Sequence, residues 1–209
     1  RLPFIMDLSE YQPQDEDMAN LQYLCRAMHH LAEQRVTILN QFVAILDQVW
    51  PGFTEAFPDP GSRIALAFLK SYSSPASFLS AEKQEVLDLF MAYAKRRGGK
   101  SAEKRYEILY RIATEDASAS IQMDALYICI NTYSGILINL NSEIARLEKA
   151  INELAERIPA VGLLKTIPGI GNNLAAMIAG EIGDISRFKN ARQLVAYCGI
   201  DPSVKQSGN

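Results

Sequence analysis

From Ile130 to Ile158 apolar residues recur at alternating steps of three and four: Ile130, Tyr133, Leu137, Leu140, Ile144, Leu147, Ile151, Leu154 and Ile158. This spacing holds an apolar stripe on one face of a helix and is incompatible with the two-residue period of a strand. In heptad terms Ile130, Leu137, Ile144, Ile151 and Ile158 occupy a, and Tyr133, Leu140, Leu147 and Leu154 occupy d. A second seam runs through Leu21, Leu24, Met28, Leu31, Arg35, Ile38, Phe42, Ile45 and Val49, with Arg35 as its polar member. Two long helices are expected, over 17–49 and 120–158. In a parallel, in-register dimer Glu143 at g would face Glu148 at the partner's e, so antiparallel pairing is favoured, within the chain or between two chains. A buried helix in an ordinary bundle has the same pattern.

Between the seams the chain is punctuated by Pro58, Pro60, Gly61 and Pro75. Shorter helices are expected over 62–71, from Ser80 as a cap to Arg97, and from Ser101 to about Thr114. Trp50-Pro51-Gly52 ends the first long helix, because proline and glycine continue a helix poorly. Period-two alternation is absent. The expected fold is all-α: two long heptad helices forming a coiled-coil or bundle region over 1–162, then a smaller domain start over 163–209.

The composition allows a buried core, with 48% hydrophobic and 22% charged residues. A net charge of −3 excludes a globally basic nucleic-acid binder but leaves room for a local basic face. No apolar run approaches the ~18 residues that span a bilayer. Cys25, Cys129 and Cys198 are far apart and form no CxxC pair, so they are expected as buried thiols in a reducing cytoplasm. His29 and His30 lie about 100° apart on a helix, which would turn one to the seam and one to water. Without a third ligand they do not make a metal site. The absence of an initiator Met and the polar ending Lys205-Gln206-Ser207-Gly208-Asn209 suggest a fragment.

The segment from Leu163 carries the chemistry. Ile167-Pro168-Gly169-Ile170-Gly171, followed by Asn172 and a helix to Ile182, has the form of a helix-hairpin-helix. Glycines allow a tight turn and a close ligand, and the free N–H groups at a helix start suit a phosphate oxygen. A plain interhelical turn would have the same residues. Gly169, Gly171 and Asn172 are the candidate phosphate contacts here. From 93 to 111 seven basic residues stand against two acidic ones, making Lys95, Arg96, Arg97 and Lys100 a second candidate patch. Cations at a helix C-terminus are the alternative. Tyr11, Tyr93, Tyr106 and Tyr110 have rings that stack bases, although helix packing is their first reading.

Taken with Glu181-Ile182-Gly183-Asp184, the Phe188, Ala191, Leu194 spacing and Gly199-Ile200-Asp201-Pro202 ahead of Ser207-Gly208, the segment resembles the start of the carboxy-terminal domain of the insertion sequence 110 family. These are DEDD-type, Piv-like transposases. The helix running through Leu21, Arg26, Leu31, Arg35 and Asn40 into Trp50-Pro51-Gly52-Phe53 resembles the helix that follows the family's catalytic domain. The resemblance implies a DNA recombinase that cuts and rejoins strands, guided by RNA in its better-understood members. It also implies four acidic ligands for magnesium in an RNase-H-like domain, expected upstream of Arg1, so no metal ligand is assigned here. Ser207 matches the family's carboxy-terminal serine, and Ser203 fits less well. A homodimer or higher oligomer on DNA, with guide RNA and no membrane, is the expected assembly. A non-catalytic coiled-coil dimeriser carrying a helix-hairpin-helix is the alternative.

Overall fold

The computed structural model describes residues 15–93, 99–115 and 123–199. Among them are ten α-helices, one short 3-10 helix and no strand, so the fold is all-α. The helices are α1 Glu16–Val49, α2 Phe53–Ala56, α3 Arg63–Ser71, α4 Pro75–Leu79, α5 Lys83–Ala92, α6 Gly99–Glu115, α7 Asp124–Ala155, α8 Pro159–Leu164, α9 Asn172–Ile182 and α10 Ala191–Tyr197. The 3-10 turn, Ile185–Arg187, precedes α10. Both long helices are present and every seam residue is buried or half-buried, but α7 ends at Ala155, short of the expected 158: Ile158 is the extended cap residue ahead of α8. The chain divides into two compact units, residues 28–147 and residues 1–27 with 148–209. The long helices α1 and α7 each contribute to both.

In the 28–147 unit, α1 and α7 run antiparallel. Arg35 Nε donates to Asn141 Oδ1 at 2.5 Å, and the Tyr133 hydroxyl donates to Gln41 Oε1 at 3.4 Å. The core beside this pair is aromatic. Trp50, Phe53, Phe57, Phe68, Phe78 and Phe90 are all at most 2% exposed. Phe68 lies at its centre, with ring centroids of Trp50, Phe57, Phe78 and Phe90 at 5.7, 5.7, 5.5 and 5.8 Å. Offset and edge contacts at these distances suit the ring quadrupoles. Gly52, at φ 76°, supplies the left-handed residue between α1 and α2.

The short helices differ from the sequence expectation around Ser80. It does not cap the following helix; its amide donates to Ala76 O and its hydroxyl to Ser77 O, closing α4. Helix α4 exists because Ser74 and Ser77 form a reciprocal capping box ahead of Pro75 at the first turn. Helix α5 then starts at Lys83, and α6 starts at Gly99, before the expected cap Ser101.

In the other unit, the start of α1, the end of α7, α8 and α9 share a small-residue core. Ala175, Ala176, Ala179 and Gly180 of α9 are buried with Leu21, Cys25, Ile151, Leu154 and Val161. At Gly180 a Cβ would lie 3.2 Å from Gln22 Cα and 3.3 Å from Gln22 N, so the backbones of α1 and α9 meet there. Beside this crossing Arg26 grips Glu181 with two hydrogen bonds of 2.7 and 2.8 Å. Arg157 reaches Asp17 at 3.0 Å. The Arg26 hydrogen bonds, and to a lesser extent its charge, hold the Glu181 carboxyl below its usual range.

The cysteines are free and only partly follow expectation: Cys25 is buried, Cys129 half-buried and Cys198 exposed. Burial, helped by the Glu181 charge, pushes the Cys25 thiol up to about 11, which keeps it protonated and unreactive. Cys198 closes the exposed helix α10, which has no buried residue. His29 and His30 are both exposed rather than divided between seam and water. They flank Glu33 at 3.4 and 3.6 Å.

Phe68→Ala should cost about 3–5 kcal/mol of stability by leaving a cavity at the aromatic centre, read as a lower denaturant midpoint. Because the Glu181 pKa is depressed in the folded chain, its contribution is present above the unfolded value of about 4.3 and is lost as pH falls through the folded value. Glu181→Gln should therefore lower stability at neutral pH and flatten the acid limb of a stability-against-pH profile.

Candidate nucleic-acid interface

Helices α8 and α9 pack against each other across the connection 165–171. The turn is built on Pro168 and Gly169: Ile170 N donates to Ile167 O at 3.1 Å, and Gly169 takes φ 90°. Proline followed by a positive-φ glycine is the type II turn pattern, so Gly169 is a conformational requirement. Gly171 is different. Its φ of −81° and ψ of 175° are open to any residue, and it serves as the cap of α9. Its carbonyl accepts from Ala175 N at 2.9 Å, and no side chain caps the first turn. The N–H groups of Asn172, Asn173 and Leu174 thus precede the first intrahelical donor and are orphan donors of the helix start. Both glycines are exposed, and a Cβ on either would meet nothing within 4 Å. The arrangement leaves room for an anion against backbone N–H groups at the positive end of α9.

Asn172 takes a part that the sequence did not suggest. Its side-chain amide is half-buried and donates to Asn152 Oδ1 on α7, which ties the side chain to that helix, while its backbone N–H faces the helix start. Around the turn Lys165 is exposed, and the Thr166 hydroxyl donates to Leu163 O at 2.8 Å.

The elements after α9 are braced locally. Asp184 accepts from the Ser186 amide at 2.8 Å and its hydroxyl at 2.6 Å, which holds its carboxyl below the usual range. Asn190 caps α10 by accepting from Gln193 N at 3.1 Å. The Arg187 guanidinium lies 4.7 Å from the Phe188 ring and 4.6 Å from that of Tyr197. The Tyr197 hydroxyl donates to Glu181 O at 3.0 Å. The clamp between Arg26 and Glu181 escaped the sequence reading because its halves are 155 positions apart. The caps at Asp184 and Asn190 were legible as Asx residues just before a helical turn.

The second candidate patch lies in the 28–147 unit. Lys95, Arg96 and Arg97 fall outside the described residues, as do Ser203 and Ser207. Lys100 and Lys104 are exposed on α6. The neighbouring cations of the run are engaged in the fold. Arg105 Nε donates to Ala56 O at 3.1 Å and its guanidinium lies 5.0 Å from the Phe57 ring. Burial lowers its pKa. Arg111 is paired with Glu55. Among the described residues, no group of three or more His, Cys, Asp or Glu is placed to hold a metal.

The order of these parts has counterparts in known proteins. Residues 161–209, which begin within α8 and include the turn, match the family described as Transposase IS116/IS110/IS902. Along 93% of its length the chain is 26% identical to an uncharacterized protein of insertion element IS110 from Streptomyces coelicolor, covering 47% of that protein. It is 30% identical to the transposase for insertion sequence element IS1111A from Coxiella burnetii, over 53% of this chain and 30% of the relative. It is 21% identical to an uncharacterized protein of insertion element IS116 from Streptomyces clavuligerus, over 92% of this chain and 47% of the relative. The chain thus spans about half the length, or less, of these relatives. No solved structure matches it. The family match falls on the turn, α9 and Glu181, and the relatives extend the likeness back along α1 and α7, so the chain is similar to IS116/IS110/IS902 transposases over most of its length.

Proposed function

We propose that the chain is part of a transposase that mobilises an insertion sequence by cutting and rejoining DNA, with a guide RNA directing the choice of site. The observation that carries this reading is the family match over 161–209, which begins within α8 and includes the open turn before α9. In this account 1–162 is the helical scaffold and 163–209 is the start of a carboxy-terminal transposase domain. The α8–α9 pair serves as a helix-hairpin-helix, with Gly169, Gly171 and the Asn172 backbone against phosphates. Such contacts grip the backbone and carry no base sequence. Lys95, Arg96, Arg97 and Lys100 add further phosphate contacts. Assembly as a homodimer or higher oligomer is supported by apolar side chains left exposed on the long helices, Val36 at 54% and Ile136 at 39%. The seams themselves are occupied within the chain.

Ser207 is the proposed hydroxyl acting at the scissile phosphate. A serine needs a base or a metal to become a competent nucleophile. The described residues offer no ligand set for magnesium, so the metal belongs in this proposal to an acidic domain of the whole protein, and no step is derived through it. No helix of the described residues is long and apolar enough to cross a membrane, and the cytoplasm is the proposed location.

In the full-length transposase Ser207→Ala should abolish strand exchange while leaving the thermal midpoint and nucleic-acid binding unchanged. Loss in Ser203→Ala with normal exchange in Ser207→Ala would transfer the assignment to the other serine. Replacing Lys95, Arg96 and Arg97 by alanine should weaken binding and reduce the slope of log K against log salt by about 2, since each single-strand phosphate contact contributes about 0.7. An unchanged slope would remove these three from the interface.

A further inference from the structure

In the 28–147 unit, α3, the end of α5 and α7 enclose a cleft of about 590 Å³. This lies within the range of about 300–1,000 Å³ over which protein pockets hold a small organic group. Its polar lining consists of Arg63, Lys70 and Ser71 on α3, Tyr93 after α5, and Asn141 and Ser142 on α7. Leu89 and Ile138 supply apolar wall. The lining includes two cations and no carboxylate. Neither cation makes an ion pair among the described residues. Lys70 Nζ donates only to the neutral Asn131 Oδ1, at 2.6 Å. Two acids flank lining residues in sequence and are already engaged. Glu143 pairs with Arg146 at 2.5 Å, and Asp88 accepts from Gln84 at 2.9 Å.

Tyr93 does not pack into the aromatic core as Tyr106 does. It is 42% exposed, with part of its surface in the cleft. Glycine also shapes the site: a Cβ at Gly135 of α7 would lie 3.6 Å from Lys70 Nζ, so the ammonium lies close over the bare backbone of that helix. The combination is two cations without carboxylate partners, hydroxyl and amide groups, an apolar wall and an exposed ring. It matches the chemistry of a single strand, where cations take phosphates and aromatic rings stack unpaired bases.

We propose that this cleft binds a single-stranded nucleic-acid segment, with phosphates on Arg63 and Lys70 and a base against Tyr93. The site rests on the nucleic-acid reading of the previous section and uses residues other than Gly169, Gly171, Asn172, Lys95, Arg96, Arg97 and Lys100. A duplex keeps its bases stacked and paired and has no free ring face for Tyr93. An acidic peptide would use the cations but not the tyrosine.

The test is fluorescence anisotropy of the whole chain with labelled oligo-dT, oligo-U and a DNA duplex, at several salt concentrations. Variants are Arg63→Gln with Lys70→Gln, and Tyr93→Ala, each checked for an unchanged thermal midpoint; Tyr93→Leu serves if Tyr93→Ala unfolds. The double variant should lower the salt slope for the single strand by about 1.4 and weaken binding about 25-fold at 0.1 M salt, two contacts at about 0.7 each. The tyrosine variant should weaken single-strand binding and leave duplex binding unchanged. The tighter of oligo-dT and oligo-U identifies the source of the strand. If the unaltered chain binds no oligonucleotide, the nucleic-acid reading itself fails. If it binds but the variants bind equally well, or oligo-glutamate displaces the strand and is itself insensitive to Tyr93→Ala, the cleft assignment alone is overturned.

Discussion

Arg35 is the polar member of an otherwise apolar seam, and the pairing of α1 with α7 in the 28–147 unit depends on what it meets. Its guanidinium donates to Asn141 at 2.5 Å and to the Gly61 carbonyl at 3.4 Å, and Asn141 donates to the same carbonyl at 3.3 Å. Hydrophobic side chains set no register by themselves, since a one-turn slip replaces one apolar contact with another. A half-buried guanidinium does, because a slip would leave it without an acceptor. Gly61 completes the arrangement: a Cβ there would approach Arg35 Nη2 to 2.9 Å and Leu39 Cδ1 to 3.0 Å. A larger residue at this position would have to displace the Arg35 and Leu39 side-chain ends, and with them the Arg35 hydrogen bonds. With the register fixed, α7 presents Ile130 and Leu137 to the aromatic core and Ile138, Asn141 and Ser142 to the cleft.

The unit formed by 1–27 and 148–209 follows a different logic. Its core is built of small residues, so α9 comes close enough to α1 for Gly180 to touch the Gln22 backbone. Close approach leaves little area to bury and makes orientation depend on polar fixings: Arg26 on Glu181, Arg157 on Asp17, Asn172 on Asn152. Glu181 is also gripped from the other side, through its carbonyl, by Tyr197. The segment Glu181-Ile182-Gly183-Asp184 has a structural part in this chain: the glutamate seats α9, and the aspartate caps the turn that follows. The turn ahead of α9 is left open, with its orphan N–H groups uncovered.

The long helices were legible because their sustained periodicity outweighs any local preference, and the helix before Pro75 was legible from the Pro58, Pro60, Gly61 and Pro75 breaks that bound it. Helix α4 was missed because its signal is a pair of serines around a proline, which also reads as loop. The shift of α5 to Lys83 follows from the same error, since Ser80 is consumed by closing α4. In the candidate interface, Gly169 and Gly171 were singled out together, but only Gly169 has a conformational need for glycine. Arg105 looked like one of seven exposed cations, and only tertiary structure turns it onto Phe57 and the Ala56 carbonyl. Cys198 was expected buried from its residue type alone, and nothing in the sequence reported that α10 has no buried face. The clamp of Arg26 on Glu181 and the approach of Tyr93 to the Arg63–Lys70 face of α3 are tertiary facts that no local pattern encodes.

The central claim is that this helical chain holds nucleic acid through the open turn before α9. Ultraviolet crosslinking of the chain to a uniformly photoreactive oligonucleotide, followed by mapping of the modified peptides, tests it directly. The account predicts modified peptides spanning 165–175, removed by excess unlabelled strand and suppressed at high salt. Crosslinks confined to other segments, with 165–175 unmodified at saturating oligonucleotide, would contradict it.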